Sequence, residues 1–83
     1  MIWPVIDAVA TGENIKRLRE ECGYSVGDIQ RTFEFNTPQA IYKWQQGVAL
    51  PTIENLAVLS VLFGVPMDDI IIFEHRPKLR KVV

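Results

Sequence analysis

The stretch "NTPQAIYKWQQG", residues 36–47, joins a turn-forming opening to a short amphipathic segment and a terminal glycine. Wound as a helix, it puts Ala40, Ile41 and Trp44 on one side and Gln39, Tyr42, Lys43 and Gln46 on the other. Thr37 is placed to cap that helix, and Pro38 suits its first position, where a missing N–H costs nothing. Gly47 ends it. The apolar side is built for burial. The other side offers two amides, a phenol and an amine. Amides bond bidentately to adenine, and lysine donates to guanine O6 and N7, so this face matches base-pair edges in the major groove. An ordinary solvated helix face has a similar composition. The rest of the chain must decide between them.

Upstream, Ser25 opens a helix in which Asp28 favours the positive helix start and Ile29 and Phe33 are the buried positions. Residues 34–36 form the turn into the helix that Thr37 caps. Earlier still, Thr11 is read as the cap of a helix over residues 12–21, with Ile15, Leu18 and Cys22 at helical spacing and Gly23 as its stop. Downstream, Thr52 caps a helix over residues 53–63 that Gly64 closes. A short helix follows Pro66 over residues 67–71, with Asp68 and Asp69 in its first turn. The expected fold is therefore all-α, a compact five-helix unit over residues 11–72. Residues 1–10 read as an extended arm and residues 73–83 as a basic tail. The segment "IIIFEH", residues 70–75, either continues the last helix or becomes a strand, since adjacent isoleucines disfavour a helix. As a strand, residues 71–73 would pair with residues 2–6.

The chain has 83 residues, the length of one small domain, and its net charge of −1 gives no global attraction for an anionic partner. The distribution is uneven. Arg76, Lys78, Arg80 and Lys81 crowd the last eight residues, while the remainder holds five basic and ten acidic residues. A nucleic-acid surface on this chain is thus a local patch, helped by the tail. The single cysteine, Cys22, cannot form an internal disulfide and reads as a small buried residue. That pattern and the lack of a secretory signal fit a cytoplasmic protein. The apolar runs are too short to span a bilayer. His75 stands apart from any His/Cys cluster, so no metal site is expected. Asp68 and Asp69 read as helix-start charges rather than a catalytic pair, and there is no glycine-rich phosphate loop. No enzyme activity, cofactor or small-molecule ligand is expected.

Residues 14–71 resemble the Cro/repressor-type helix-turn-helix family, the xenobiotic-response-element group of regulators. The matching stretches, in order, are "IKRLRE", "SVGDIQRTF", "AIYKWQQG", "LPTIENLAVLSVLFGV" and "MDDI". The resemblance implies a repressor-like five-helix DNA-binding domain whose third helix enters the major groove. It places Gln39 and Lys43 at the main base-reading positions and Tyr42 and Gln46 at neighbouring base or phosphate contacts. It places Ser25 and Val26 at a phosphate clamp, with Asn36 and Thr37 at the entry to the reading helix, and it makes Ile41 and Trp44 core. Three departures stand out. The turn after Phe33 is one residue longer than usual, with Asn36 expected to take the left-handed role of the family's glycine. Val26 stands where glutamine is common, leaving only backbone N–H groups for phosphate. Gln45 stands where the family often has a glutamate paired with the arginine at Arg19, so a neutral hydrogen bond is expected instead of an ion pair.

In the helix over residues 53–63, Ile53, Leu56, Ser60 and Phe63 form the expected inner stripe, with Ala57 and Leu59 beside it. Val58 and Val61 lie on another side, where related domains carry polar residues. Either the arm or a second copy of the chain would cover them. The reading favoured is a homodimeric repressor on double-stranded DNA, with two-fold symmetry matched to two half-sites. The alternative is a protein-interaction module of helix-turn-helix fold, such as an antitoxin or anti-repressor. RNA binding is less well matched, because few exposed aromatics are available for stacking.

Overall fold

The computed structural model describes residues 5–75. The order of elements is β1 (Val5–Ile6), α1 (Ala8–Glu21), α2 (Val26–Phe33), α3 (Gln39–Gln46), α4 (Ile53–Phe63), α5 (Met67–Ile70) and β2 (Phe73–His75). The architecture is that of the expected five-helix unit. Its core is Ile15, Leu18, Ile29, Ile41, Trp44, Leu56, Leu59, Phe63 and Ile70, with contributions from α1 through α5. Burying each large apolar side chain is worth roughly 1.5–3 kcal/mol, so the fold depends on all five helices meeting at once.

The caps at Ser25 and Thr52 are formed as the sequence indicates. Ser25 and Asp28 make a reciprocal capping box, and the Asn55 N–H donates to Thr52 Oγ1 at 3.2 Å. The start of α1 differs. Asp7 Oδ1 accepts the Ala10 N–H at 2.9 Å, so the helix begins at Ala8 and Thr11 lies inside it. Thr11 is diverted to a tertiary role. Its buried hydroxyl accepts the Ile72 N–H at 2.9 Å and donates to the Ile72 carbonyl at 3.3 Å. Asn14 acts alongside it, donating to the carbonyls of Asp69 and Ile70 at 2.8 and 3.0 Å. These bonds satisfy carbonyls at the end of α5 that have no partner within the helix.

The chain's outer segments do pair, in a register displaced from the expected one. Val5 lies opposite His75 and Ile6 opposite Phe73, antiparallel, with an irregularity between them. The Asp7 N–H extends the ladder to the Ile72 carbonyl at 2.8 Å. The strand thus uses residues 73–75 rather than 71–73, because Ile71 still closes α5 by bonding the Met67 carbonyl. Residues 2–4 of the expected partner, and the tail from residue 76, lie outside the described residues.

Two burial expectations fail for local reasons. Cys22 is exposed: as the C-cap of α1 it still points its Sγ at the Phe63 carbonyl, 3.8 Å away, but no further turn of helix covers it. Ile53 is 79 % exposed. It is the first residue of α4, ahead of the turn that carries Leu56, Leu59 and Phe63 into the core.

The tightest contact is between α1 and α3. A Cβ on Gly12 would lie 2.1 Å from the Trp44 carbonyl oxygen and 2.8 Å from that of Gln45, both backbone atoms. Only glycine lets the helices cross at this separation. Gly12→Ala should therefore force α1 from α3 and cost about 3 kcal/mol or more of stability, measured by urea unfolding. An unchanged midpoint would show that the crossing has slack.

Candidate nucleic-acid interface

The two faces of α3 are divided as the sequence periodicity indicates. Ile41 and Trp44 are buried, while Gln39, Tyr42, Lys43 and Gln46 are exposed. Trp44 is fixed by rings. Its centroid lies 5.5 Å from Phe33 and 6.0 Å from Phe35, both near edge-on, and Phe33 stacks on Phe35 at 5.1 Å. Trp44 is thus a packing residue, with its indole turned away from the exposed face.

Entry to α3 differs from expectation. Glu34 adopts the left-handed conformation, φ 57°, and among the described residues it is the one non-glycine residue with positive φ. Asn36 does not take that role. The reason is the closure of α2. The Glu34 N–H bonds the Arg31 carbonyl and the Phe35 N–H bonds the Gln30 carbonyl at 3.1 Å each, a Schellman pattern that needs its left-handed residue immediately after the helix. Gln30 Nε2 adds a bond to the Phe35 carbonyl at 3.2 Å. By Asn36 the chain has already turned. Thr37 is exposed and does not cap. Pro38 occupies the cap position with no side-chain bond, and its carbonyl accepts the Tyr42 N–H at 3.2 Å.

At the start of α2, Ser25 is exposed and committed to its capping box. The Ser25 N–H donates to Asp28 Oδ2 at 2.8 Å and Ser25 Oγ accepts the Asp28 N–H at 3.0 Å. The bond from the Ser25 backbone holds the Asp28 carboxyl below its ordinary value, helped by the Ser25 side chain and by Arg31, which pairs with it. Val26 turns its side chain onto the core. What α2 offers outward is therefore the Val26 and Gly27 backbone N–H groups, since those of Asp28 and Ile29 bond Ser25, beside an Asp28 carboxylate whose charge Arg31 offsets.

The expected bond between Arg19 and Gln45 is present. Arg19 Nε donates to Gln45 Oε1 at 3.0 Å, and Nη1 donates to the Tyr24 carbonyl at 2.8 Å. The Arg19 side chain is 13 % exposed. One guanidinium thus ties the end of α1 to the end of α3 and to the loop that leads into Ser25. The Tyr24 carbonyl, the Gln30 amide and the left-handed Glu34 all position the interface, and none is distinguished by the one-dimensional pattern. The nearest signal is the Phe33–Phe35 pair flanking the turn.

Among the described residues no group of three or more His, Cys, Asp or Glu side chains is placed to hold a metal ion. No described helix is long and apolar enough to cross a membrane.

The helix-turn-helix family profile matches residues 15–70, more than half of the chain, and the chain belongs to that family. Its members are non-enzymatic DNA-binding regulators. Two solved structures share the fold. They are the DNA-binding domain of BldD and the S. venezulae BldD DNA-binding domain, each 20 % identical with a TM-score of 0.63. The matches cover 76 % of this chain and 90 % and 93 % of those chains, respectively. Comparison with curated proteins finds no match.

Gln45→Glu should stabilise the domain. A charge-assisted bond to the shielded Arg19 gains about 1–2 kcal/mol over the neutral one, against about 0.3–1 kcal/mol for an acid at a helix C-terminus. The net expectation is a gain of about 0.5–1 kcal/mol, or several degrees in Tm for a domain this size. A lower Tm would mean that the amide N–H₂ of Gln45 matters more than its oxygen.

Proposed function

We propose that this helix-turn-helix protein is a sequence-specific double-stranded-DNA-binding transcription regulator, a repressor that acts in the cytoplasm as a homodimer with α3 in the major groove. The observation that carries the reading is the division of α3. Its inner face is locked by Ile41 and Trp44, and its outer face presents Gln39, Tyr42, Lys43 and Gln46 to solvent. A rigidly held helix with free amide and amine groups is what direct readout needs. Gln39 and Lys43 read base edges, while Tyr42 and Gln46 contact adjacent bases or phosphates. The Val26 N–H faces phosphate, with Ser25 setting the helix start through its capping box, and Asn36 and Thr37 lie along the backbone at the entry to the groove.

Selection of bound duplexes from a random pool tests the reading and returns the site. On that site Gln39→Ala and Lys43→Ala should each weaken binding by about 1–3 kcal/mol and relax specificity at particular base pairs. Equal losses on specific and random duplexes would reassign both residues to phosphate. Unchanged binding would remove α3 from the groove.

The homodimer rests on α4. Val61 is 83 % exposed and Val58 37 % exposed, one turn apart. The described part of the arm, Val5–Ile6, runs along β2. A second copy meeting this face would bring two reading helices to half-sites about 34–36 Å apart. Val58→Lys with Val61→Lys should give a folded monomer with much weaker operator binding, checked by sedimentation and circular dichroism. A wild-type protein that stays monomeric on its operator sinks the dimer.

A protein-interaction module is the second reading. The exposed Val48, Leu50, Ile53 and Val61 favour it, an apolar series running from the end of α3 along α4. Salt-sensitive binding to short duplexes separates the two readings, since counterion release is a property of the nucleic-acid partner.

A further inference from the structure

One side of α4 and the loop before it present apolar side chains to solvent. Val48, Ile53 and Val61 are largely exposed, and Leu50 and Val58 are partly so. Ile53, Ala57 and Val61 follow one another at four-residue steps, which aligns them along the helix, with Val58 a turn from Val61. Glu54, the one charged residue of α4, lies on the same side, four residues before Val58 and seven before Val61. Val48 and Leu50, in the loop, carry the apolar surface back to Gly47, the C-cap of α3. The patch therefore begins where the reading helix ends.

Its size decides what can sit on it. A Val, Leu or Ile side chain carries roughly 60–120 Å² of apolar surface. Five of them, three largely and two partly exposed, offer on the order of 200–400 Å² per copy, or about 400–800 Å² when two copies meet. A stable interface buries about 1,200–2,000 Å² in all, a little over half of it apolar, which is about 700–1,200 Å². The patch reaches the lower end of that range at most. Glu54 reduces the gain further, since a two-fold contact sets its carboxylate against the same face of the copy, where it meets apolar surface or the other Glu54. An interface of this size holds a partner only weakly from free solution, because association must first offset the lost translational and rotational freedom. A partner already aligned by a shared support has offset most of that loss. A second copy on the next half-site of one duplex is such a partner, and it presents the same apolar face.

We infer that this face joins two copies on DNA and not in free solution: the chain is a monomer until α3 is in the groove, and a second copy then docks through Ile53, Val58 and Val61. The inference rests on the DNA reading of α3 and sets how that site fills. One copy positions the next, so occupancy rises with more than the first power of protein concentration, and a duplex with a single half-site is held weakly. Because the patch adjoins the end of α3, the contact is sensitive to the separation and helical phase of the half-sites.

The test uses the full chain and duplexes derived from those that the wild-type protein selects. Free wild-type protein should sediment as a monomer at micromolar concentration. On a duplex with both half-sites two copies should bind, the second roughly 5–150-fold more tightly than one copy binds a single half-site. Inserting about five base pairs turns one half-site by half a helical turn, and should abolish this enhancement without changing the affinity for a single half-site. Val61→Ser should do the same with Tm retained, since Val61 is exposed and lies outside the core. A free dimer at micromolar concentration overturns the inference in favour of a constitutive dimer. Independent filling of the two half-sites overturns it and leaves the patch to another protein or another segment of the chain. Enhancement that survives Val61→Ser overturns the assignment to this face. In each of these cases α3 stays in the groove. A selected site with no repeat overturns the inference alone, whereas failure to select any duplex overturns the DNA reading as well.

Discussion

The structure depends on the close crossing of α1 over α3, backbone against backbone, at Gly12. Eight residues are too few for a helix to persist alone in water, so nothing intrinsic to α3 fixes its direction. Its position comes from neighbours. Gly12 brings α1 onto the carbonyls of Trp44 and Gln45, Gly47 accepts the backbone of Val9, and Arg19 bonds the Gln45 amide from further along α1. Contacts spread along α1 define an angle as well as a distance. A side chain at the crossing would leave α3 free to tilt, and the exposed row from Gln39 to Gln46 would lose its fixed presentation.

The lengthened turn between α2 and α3 works within that constraint. A left-handed Glu34 costs about 1–2 kcal/mol relative to an unstrained residue. The Schellman bonds and the Gln30 bond to the Phe35 carbonyl satisfy the polar groups at the end of α2. Phe35, carried inward by the extra residue, joins Phe33 and Trp44, and aromatic pairs of this geometry add about 0.5–1.5 kcal/mol each beyond their burial. The offset is of the same size as the strain. The added residue therefore does not detach α3 from α2. It gives the turn an aromatic seal in place of the glycine expected from the family resemblance.

Much of this was legible in the residues, and the boundary of legibility is physical. The caps at Ser25 and Thr52 and the two faces of α3 follow from interactions within one or two turns, and those were read correctly. Thr11 was misread because its hydroxyl has two competing uses, capping a helix locally or binding Ile72 some sixty positions away. The Asp7 cap makes the second available. Asn36 was given the left-handed role on propensity, which ranks Asn above Glu, yet hydrogen-bond closure of α2 fixes the place of that conformation whatever residue stands there. Ile53 and Cys22 fit the apolar period of their helices and fall at the ends, where the period no longer dictates burial. The bond between Arg19 and Gln45 was legible through the family pattern, whereas the tie from Arg19 to the Tyr24 carbonyl requires the folded loop.

The charge balance bears on how such a domain discriminates. A uniformly basic surface binds any duplex and dilutes a regulator among competing sites, so the useful quantity is the ratio of specific to non-specific affinity. An acidic body that repels phosphate lowers the non-specific term, because it acts at every sequence alike. The amides of Gln39 and Gln46 carry no charge, and their contribution appears only when base edges match. On the DNA reading, an interface with one lysine on α3 trades overall affinity for that ratio. Association through Val58 and Val61 would then restore affinity by doubling matched contacts, which adds far less at a random sequence than at a symmetric one. The acid excess of the body, which taken alone counts against a nucleic-acid partner, is on this argument compatible with a selective one.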